Sequence, residues 1–168
     1  MSRPDLSRVP VFYHRYIQQV NEDELNNAFA AQASVFDFLD KIPVEKRDYR
    51  YAEGKWTIKE MLQHMVDTER VFAYRALCIA RKEAASLPGF DENEYADNSK
   101  AGKRDWNDLM EEFKAVRKSS EILFRSFDDE QLENTGIANN NPVYVLAIGF
   151  VLVGHVNHHM NVLKERYL

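Results

Sequence analysis

Cysteine is almost missing from this chain. Cys78 is the only one in 168 residues, so no intrachain disulfide can form and the thiol is expected to pack within a helical pattern. The six glycines are scattered, and none of their spacings makes a phosphate-cradling loop. No repeat, low-complexity tract or Pro/Gly-rich linker divides the sequence, which reads as a single domain over residues 1–168. Positive charge is in deficit. A net charge of −5 with no basic stripe gives no electrostatic footprint for nucleic acid, and Lys100, Lys103 and Arg104 read as a solvated loop. Long apolar runs are lacking as well. The segment from Val143 to Val156 is too short for a membrane span and is followed by polar residues, so no membrane association is expected. Met1 to Pro10 is charged and carries no apolar stretch, so no secretory signal is expected and a reducing, cytoplasmic setting fits best.

What remains is helical. With 45% hydrophobic residues the chain can bury a sizeable core, and its apolar residues recur at helical spacing in four segments. The first runs from Glu22 to Lys41, with Asn21 as cap and Pro43 beyond its end. The second runs from Ile58 to Lys82 behind the capping-box pair Thr57 and Glu60. The third spans Trp106 to Phe127 behind Asp105. The fourth reaches Tyr167, with Asn141 as cap and Pro142 at the first helical position. Four such helices bury their faces most economically as an all-α four-helix bundle. The Gly-, Asp- and Asn-rich stretch between Ala84 and Arg104 contains Leu87, Phe90 and Tyr95, and is expected to pack back onto the bundle.

The last helix carries the chemistry. At about 100° per residue, Val145, Ile148, Val151, Leu152, Val156, Val162 and Leu163 form one apolar stripe. His155 and His159 fall inside it, about 40° apart, and His158 at its polar edge. A neutral imidazole carries a donor and an acceptor, and burying two of them without partners is costly. A divalent metal would satisfy both, given a third ligand. His64, on the margin of the second helix's apolar face, can supply it. Three imidazoles from two helices form a set that leaves coordination positions open, as catalytic metal sites do. Periodicity alone leaves His158 as an alternative partner for His155, although position in the stripe favours His159. His14 reads as a surface or satisfied core residue.

Asp67, three residues after His64, has two readings. It orients His64 or serves as a base that holds a water, or it pairs with Arg70 or Arg75 as an ordinary acid. Glu69 sits nearer the apolar face than a free carboxylate should, which calls for a buried arginine or tyrosine partner.

The order Trp56-Thr57-Ile58, His64 with Asp67 and Thr68, Ala73-Tyr74-Arg75, Pro88-Gly89-Phe90-Asp91-Glu92, and Gly154-His155 through His159 to Tyr167-Leu168 resembles the DinB/YfiT-like superfamily of metal-binding four-helix bundles. The resemblance covers most of the chain. It implies an up-down-down-up bundle in which His64, His155 and His159 hold a divalent metal, most often zinc or nickel. It also implies a homodimer, and a loop around Phe90, Asp91 and Glu92 near the pocket. Relatives include metal-dependent hydrolases and thiol-dependent transferases. The expected partner is therefore a small-molecule substrate, with a low-molecular-weight thiol as one option. A non-catalytic metal- or ligand-binding dimer is the alternative from another class.

Overall fold

The computed structural model describes residues 3–168. In chain order the helices are α1 (Val11–Ile17), α2 (Leu25–Ala31), α3 (Ala33–Asp40), α4 (Ile58–Ala80), α5 (Glu92–Ser99), α6 (Trp106–Arg125) and α7 (Asp129–Glu133). A hairpin of β1 (Thr135–Ala138) and β2 (Asn141–Tyr144) follows, then α8 (Val145–Val162), which ends in a π-helical turn over Leu163–Tyr167. The capping box at Thr57 and Glu60 is formed in both directions, and the Asp105 side chain accepts from the first-turn N–H groups of α6.

Side-chain pairs between helices fix their directions. Lys59 meets Gly102, Gln63 meets Arg104 and Arg70 meets Glu112, so α4 and α6 run parallel. Trp56 meets Tyr167 while His64 meets His155, so α8 runs antiparallel to α4. Phe29 lies against Phe124 and Phe36 against Phe113, so the α2–α3 pair opposes α6. The result is the up-down-down-up bundle. Its two parallel middle helices require a long connection, and the segment holding α5 provides it. That segment packs back as expected, with Leu87 buried and bridged to Ala138.

Three expectations need correction. The segment from Glu22 to Lys41 is not one helix, and Asn21 does not cap it. α2 starts after Glu24, and the chain breaks at Gln32 (φ −82°, ψ 2°) before α3. Gln32 is buried at that break, where its amide donates to the Val153 carbonyl (2.7 Å) and to Asn157 (2.8 Å). These bonds offset the lost helical regularity. Asn141 and Pro142 do not open the last helix either. Asn139 and Asn140 both take positive φ (49° and 59°), the geometry of a tight hairpin turn, so Asn141 to Tyr144 pair with β1. α8 begins at Val145, whose N–H donates to Asn134 O (3.1 Å). Finally, Val145–Tyr167 is long and apolar enough to cross a membrane. With 78% of that window buried among the other helices, its apolarity is accounted for by the core.

The helix α1 has no counterpart in the sequence reading. It lies against α8, and the close approach depends on Gly154, where a Cβ would overlap the backbone carbonyl of Tyr16.

Candidate metal centre

α4 and α8 cross where His64 faces His155 and His159. The Nε2 atoms of His64 and His155 are 3.0 Å apart, as are those of His155 and His159. All three rings are buried, and one nitrogen of each lies within 4.8 Å of the others. His158 does not join them. It is half-buried, edge-on to Tyr16, with its Nδ1 3.5 Å from the Gln19 amide.

The donor set fits a metal. Three nitrogens about 2.0–2.1 Å from a tetrahedral ion lie roughly 3.3 Å apart, a few tenths of an ångström beyond the spacing seen here. Burial pulls the His64 imidazole down to about 4. Burial first, and then repulsion from the neighbouring rings, holds His155 and His159 well below the usual histidine range. All three are therefore neutral at pH 7, each with a lone pair to offer. The His155 Nε2 meets two other Nε2 atoms with only one proton or one lone pair, so hydrogen bonding alone serves this cluster poorly. A cation at the centre would make every Nε2 a donor of electrons and leave the Nδ1–H groups to the surroundings.

Those surroundings are ordered. Trp56 lies over His64, with ring centroids 4.6 Å apart, and its carbonyl accepts from the Tyr167 hydroxyl (2.7 Å). The beginning of α4 is thereby tied to the π turn that extends α8. The Thr68 hydroxyl is 3.5 Å from His64 Nδ1, and Tyr16 from α1 stands edge-on to His155 at 5.4 Å. The Nδ1 of His159 is buried with no partner among the described residues.

Asp67 faces elsewhere. Its carboxylate accepts from Gln63 (2.9 Å) and makes no hydrogen bond to any of the three imidazoles among the described residues. Burial raises its pKa, opposed by the Gln63 bond and Arg70. Glu69 has its buried arginine: Arg117 lies 2.8 Å away, and the same guanidinium donates to Gln32 (2.6 Å). His14 is satisfied by the Leu6 carbonyl at 2.9 Å.

A cavity of about 340 Å³ opens beside the triad. His64, Thr68, Phe72 and Arg75 line it from α4, Val151 and His155 from α8, and Phe12, Tyr13 and Tyr16 from α1. Phe90 and Glu92 also line it, in the loop that the family resemblance implies lies near the pocket. Sequence reading missed the contribution of α1. The spacing of Phe12, Tyr13 and Tyr16 was the available signal, but seven residues between Pro10 and Gln18 form too short a segment for periodicity to register.

A sequence profile of the DinB superfamily matches residues 30–163. The chain belongs to the DinB superfamily. Among solved structures it is similar to YfiT from Bacillus subtilis, described as a probable metal-dependent hydrolase with an unusual four-helix bundle topology. The TM-score is 0.69 at 16% identity, over 96% of this chain and 89% of that one. At that identity the likeness shows the fold. No functionally curated protein matches the chain.

Proposed function

We propose that this DinB-superfamily protein is a metal-dependent hydrolase of a small molecule, with His64, His155 and His159 as the metal ligands. The observation that carries this is the convergence of three buried, neutral imidazoles beside a cavity large enough for a guest. A structural metal site is usually closed by four protein ligands, whereas the cluster here offers three. When bound, a divalent ion supplies Lewis acidity that activates water and polarises an ester or amide carbonyl.

The chain's own residues do the rest. His155 and His64 line the cavity, Trp56 and Thr68 hold the His64 ring, and Tyr16 borders the cavity beside His155. The apolar walls from Phe12, Phe72 and Val151 exclude bulk water from a bound substrate. Asp67 has no part in this reading, because its carboxylate is engaged by Gln63. Zinc or nickel suits an all-imidazole set. A homodimer and a cytoplasmic setting belong to the same proposal, resting on the family and on the single free cysteine. Transfer to a low-molecular-weight thiol is the variant chemistry, since a thiolate can take the same open coordination position.

Elemental analysis of the purified protein tests the centre. One equivalent of zinc or nickel per chain is expected, falling below about a tenth of that in His155→Ala. Unchanged metal content in the variant sinks the assignment. Turnover of an ester panel by the loaded protein, absent after chelation and restored by the metal, then separates an enzyme from a binding protein.

A further inference from the structure

Two arginines are buried in this bundle, Arg75 and Arg117, at 4% and 3% exposure. Arg117 shows how the fold accommodates such a group, with Glu69 at 2.8 Å. Arg75 has no such partner. No carboxylate among the described residues comes within 4.0 Å of it, and its Nε–H has no acceptor. Its hydrogen-bonding partners are uncharged: the Pro88 carbonyl at 2.7 Å and the Tyr13 hydroxyl. Taking a guanidinium out of water without a counter-charge is costly, and side chains meet that cost with an anion wherever one is within reach.

Arg75 lines the same cavity as His64 and His155. It lies eleven residues after His64, which is about three turns, so the two fall within about 20° on one face of α4. Thr68 and Phe72 lie between them on the cavity floor. The Cα atoms are separated by about 16 Å along the axis, and the arginine arm leans back towards the helix start, shortening that reach. Phe72 and Phe90 flank the guanidinium, with ring centroids 5.0 and 5.9 Å from Cζ. That holds its plane, and a planar fork of N–H donors matches the two oxygens of a carboxylate. Glu92, on the exposed rim, discourages a doubly charged phosphate more than a singly charged carboxylate.

We infer that Arg75 anchors a carboxylate of the substrate at the far end of the cavity, so that the molecule lies along α4 with its apolar body against Phe12 and Phe72 and its reacting end at the histidines. This names the substrate class for the hydrolase proposed above: an ester or amide that also carries a free carboxylate. Only the placement of the reacting end rests on that reading. The anion site stands on Arg75 itself.

The test is calorimetric titration of the full-length protein, as isolated and again after chelation, with 4-phenylbutanoate and its neutral amide. The carboxylate is expected to bind roughly tenfold to a hundredfold tighter than the amide, as a charge-assisted hydrogen-bonded pair allows. Chelation should leave that preference in place. Arg75→Met should abolish the preference while leaving metal content unchanged, and Arg75→Lys should keep part of it. Arg15, an exposed arginine, also lines the cavity, and Arg15→Met should keep the preference whole. Equal affinities in the unsubstituted protein, no binding of either compound, or a preference that survives Arg75→Met would each overturn the inference. A protein that binds no metal yet keeps the preference refutes the hydrolase reading and leaves this one intact.

Discussion

Replacing Gly154 with alanine puts the packing of α1 on α8 to a direct test. A Cβ at Gly154 would fall inside the van der Waals envelope of the Tyr16 carbonyl, with the Tyr16 Cα at 3.1 Å. Those atoms are backbone in a short helix that also lines the cavity, so no rotamer change relieves the overlap and α1 must shift bodily. Overpacking of this kind costs about 1–3 kcal/mol, and an unyielding neighbour places it at the upper end. Alanine also gains about 1 kcal/mol of helix propensity over glycine. The net expectation is a loss of about 2 kcal/mol. Gly149→Ala on the same helix is the control. There the new methyl meets the Leu25 side chain at 2.5 Å and Phe124 at 3.0 Å, both of which can turn aside. Strain and propensity then nearly cancel.

Urea denaturation followed by circular dichroism measures both. With an m-value of about 2 kcal/mol per molar, the Gly154→Ala midpoint should fall by about 1 M while Gly149→Ala moves little. Equal effects from the two substitutions, or a Gly154→Ala change within about 0.5 kcal/mol, would refute the reasoning that backbone contact at Tyr16 sets the position of α1.

Further outcomes follow from the buried charges and the imidazoles. With metal removed, His64 has a folded pKa of about 4 against its ordinary 6.5, so the unfolded chain takes up the proton first. Its contribution is then fully present above about pH 6.5, lost as the pH falls towards 4, and worth about 3 kcal/mol over that window. Urea titrations of chelated protein and of His64→Gln across that range should diverge, and parallel curves would refute it. Glu69→Gln leaves Arg117 buried without its carboxylate and should cost about 3–5 kcal/mol, with the Glu69→Gln/Arg117→Met pair recovering part of it in a double-mutant cycle. Asp67→Asn exchanges only the partner of Gln63, so metal content by elemental analysis should be unchanged and the loss below about 1 kcal/mol.

Where local chemistry decided an element, the sequence was legible. Thr57 with Glu60 and Asp105 mark helix starts because their side chains bond the first-turn N–H groups without help from the rest of the fold. The apolar stripe of the last helix located His155 and His159 because burial and periodicity carry the same information there. Glu69 announced a buried partner by the same logic. Tertiary competition overrode the rest. Asn141-Pro142 is a sound helix opening, but the positive-φ pair Asn139-Asn140 turns the chain into a hairpin first. Gln32 interrupts a continuous helical pattern because Val153, Asn157 and Arg117, far away in sequence, give its amide better partners. Asp67 stands beside His64 in helical projection, yet Gln63 on the same helix engages it first.

The contrast between the two buried guanidiniums ties the fold to the site. Arg117, Glu69 and Gln32 join α6, α4 and the break between α2 and α3, and Gln32 continues to Val153 and Asn157 on either side of His155. This polar network is internally paired and holds the histidine-bearing stretch of α8 against the other helices. On the cavity side, Tyr13 of α1 meets Phe72 of α4 edge-on at 5.8 Å, and the polar groups His155 and Arg75 line the cavity without a carboxylate partner. A chain that neutralises one buried arginine with its own carboxylate and leaves the other unpaired has separated its scaffold from its binding surface. The unpaired arginine and the neutral imidazoles lie on the binding side, which is where a molecule from outside can complete them.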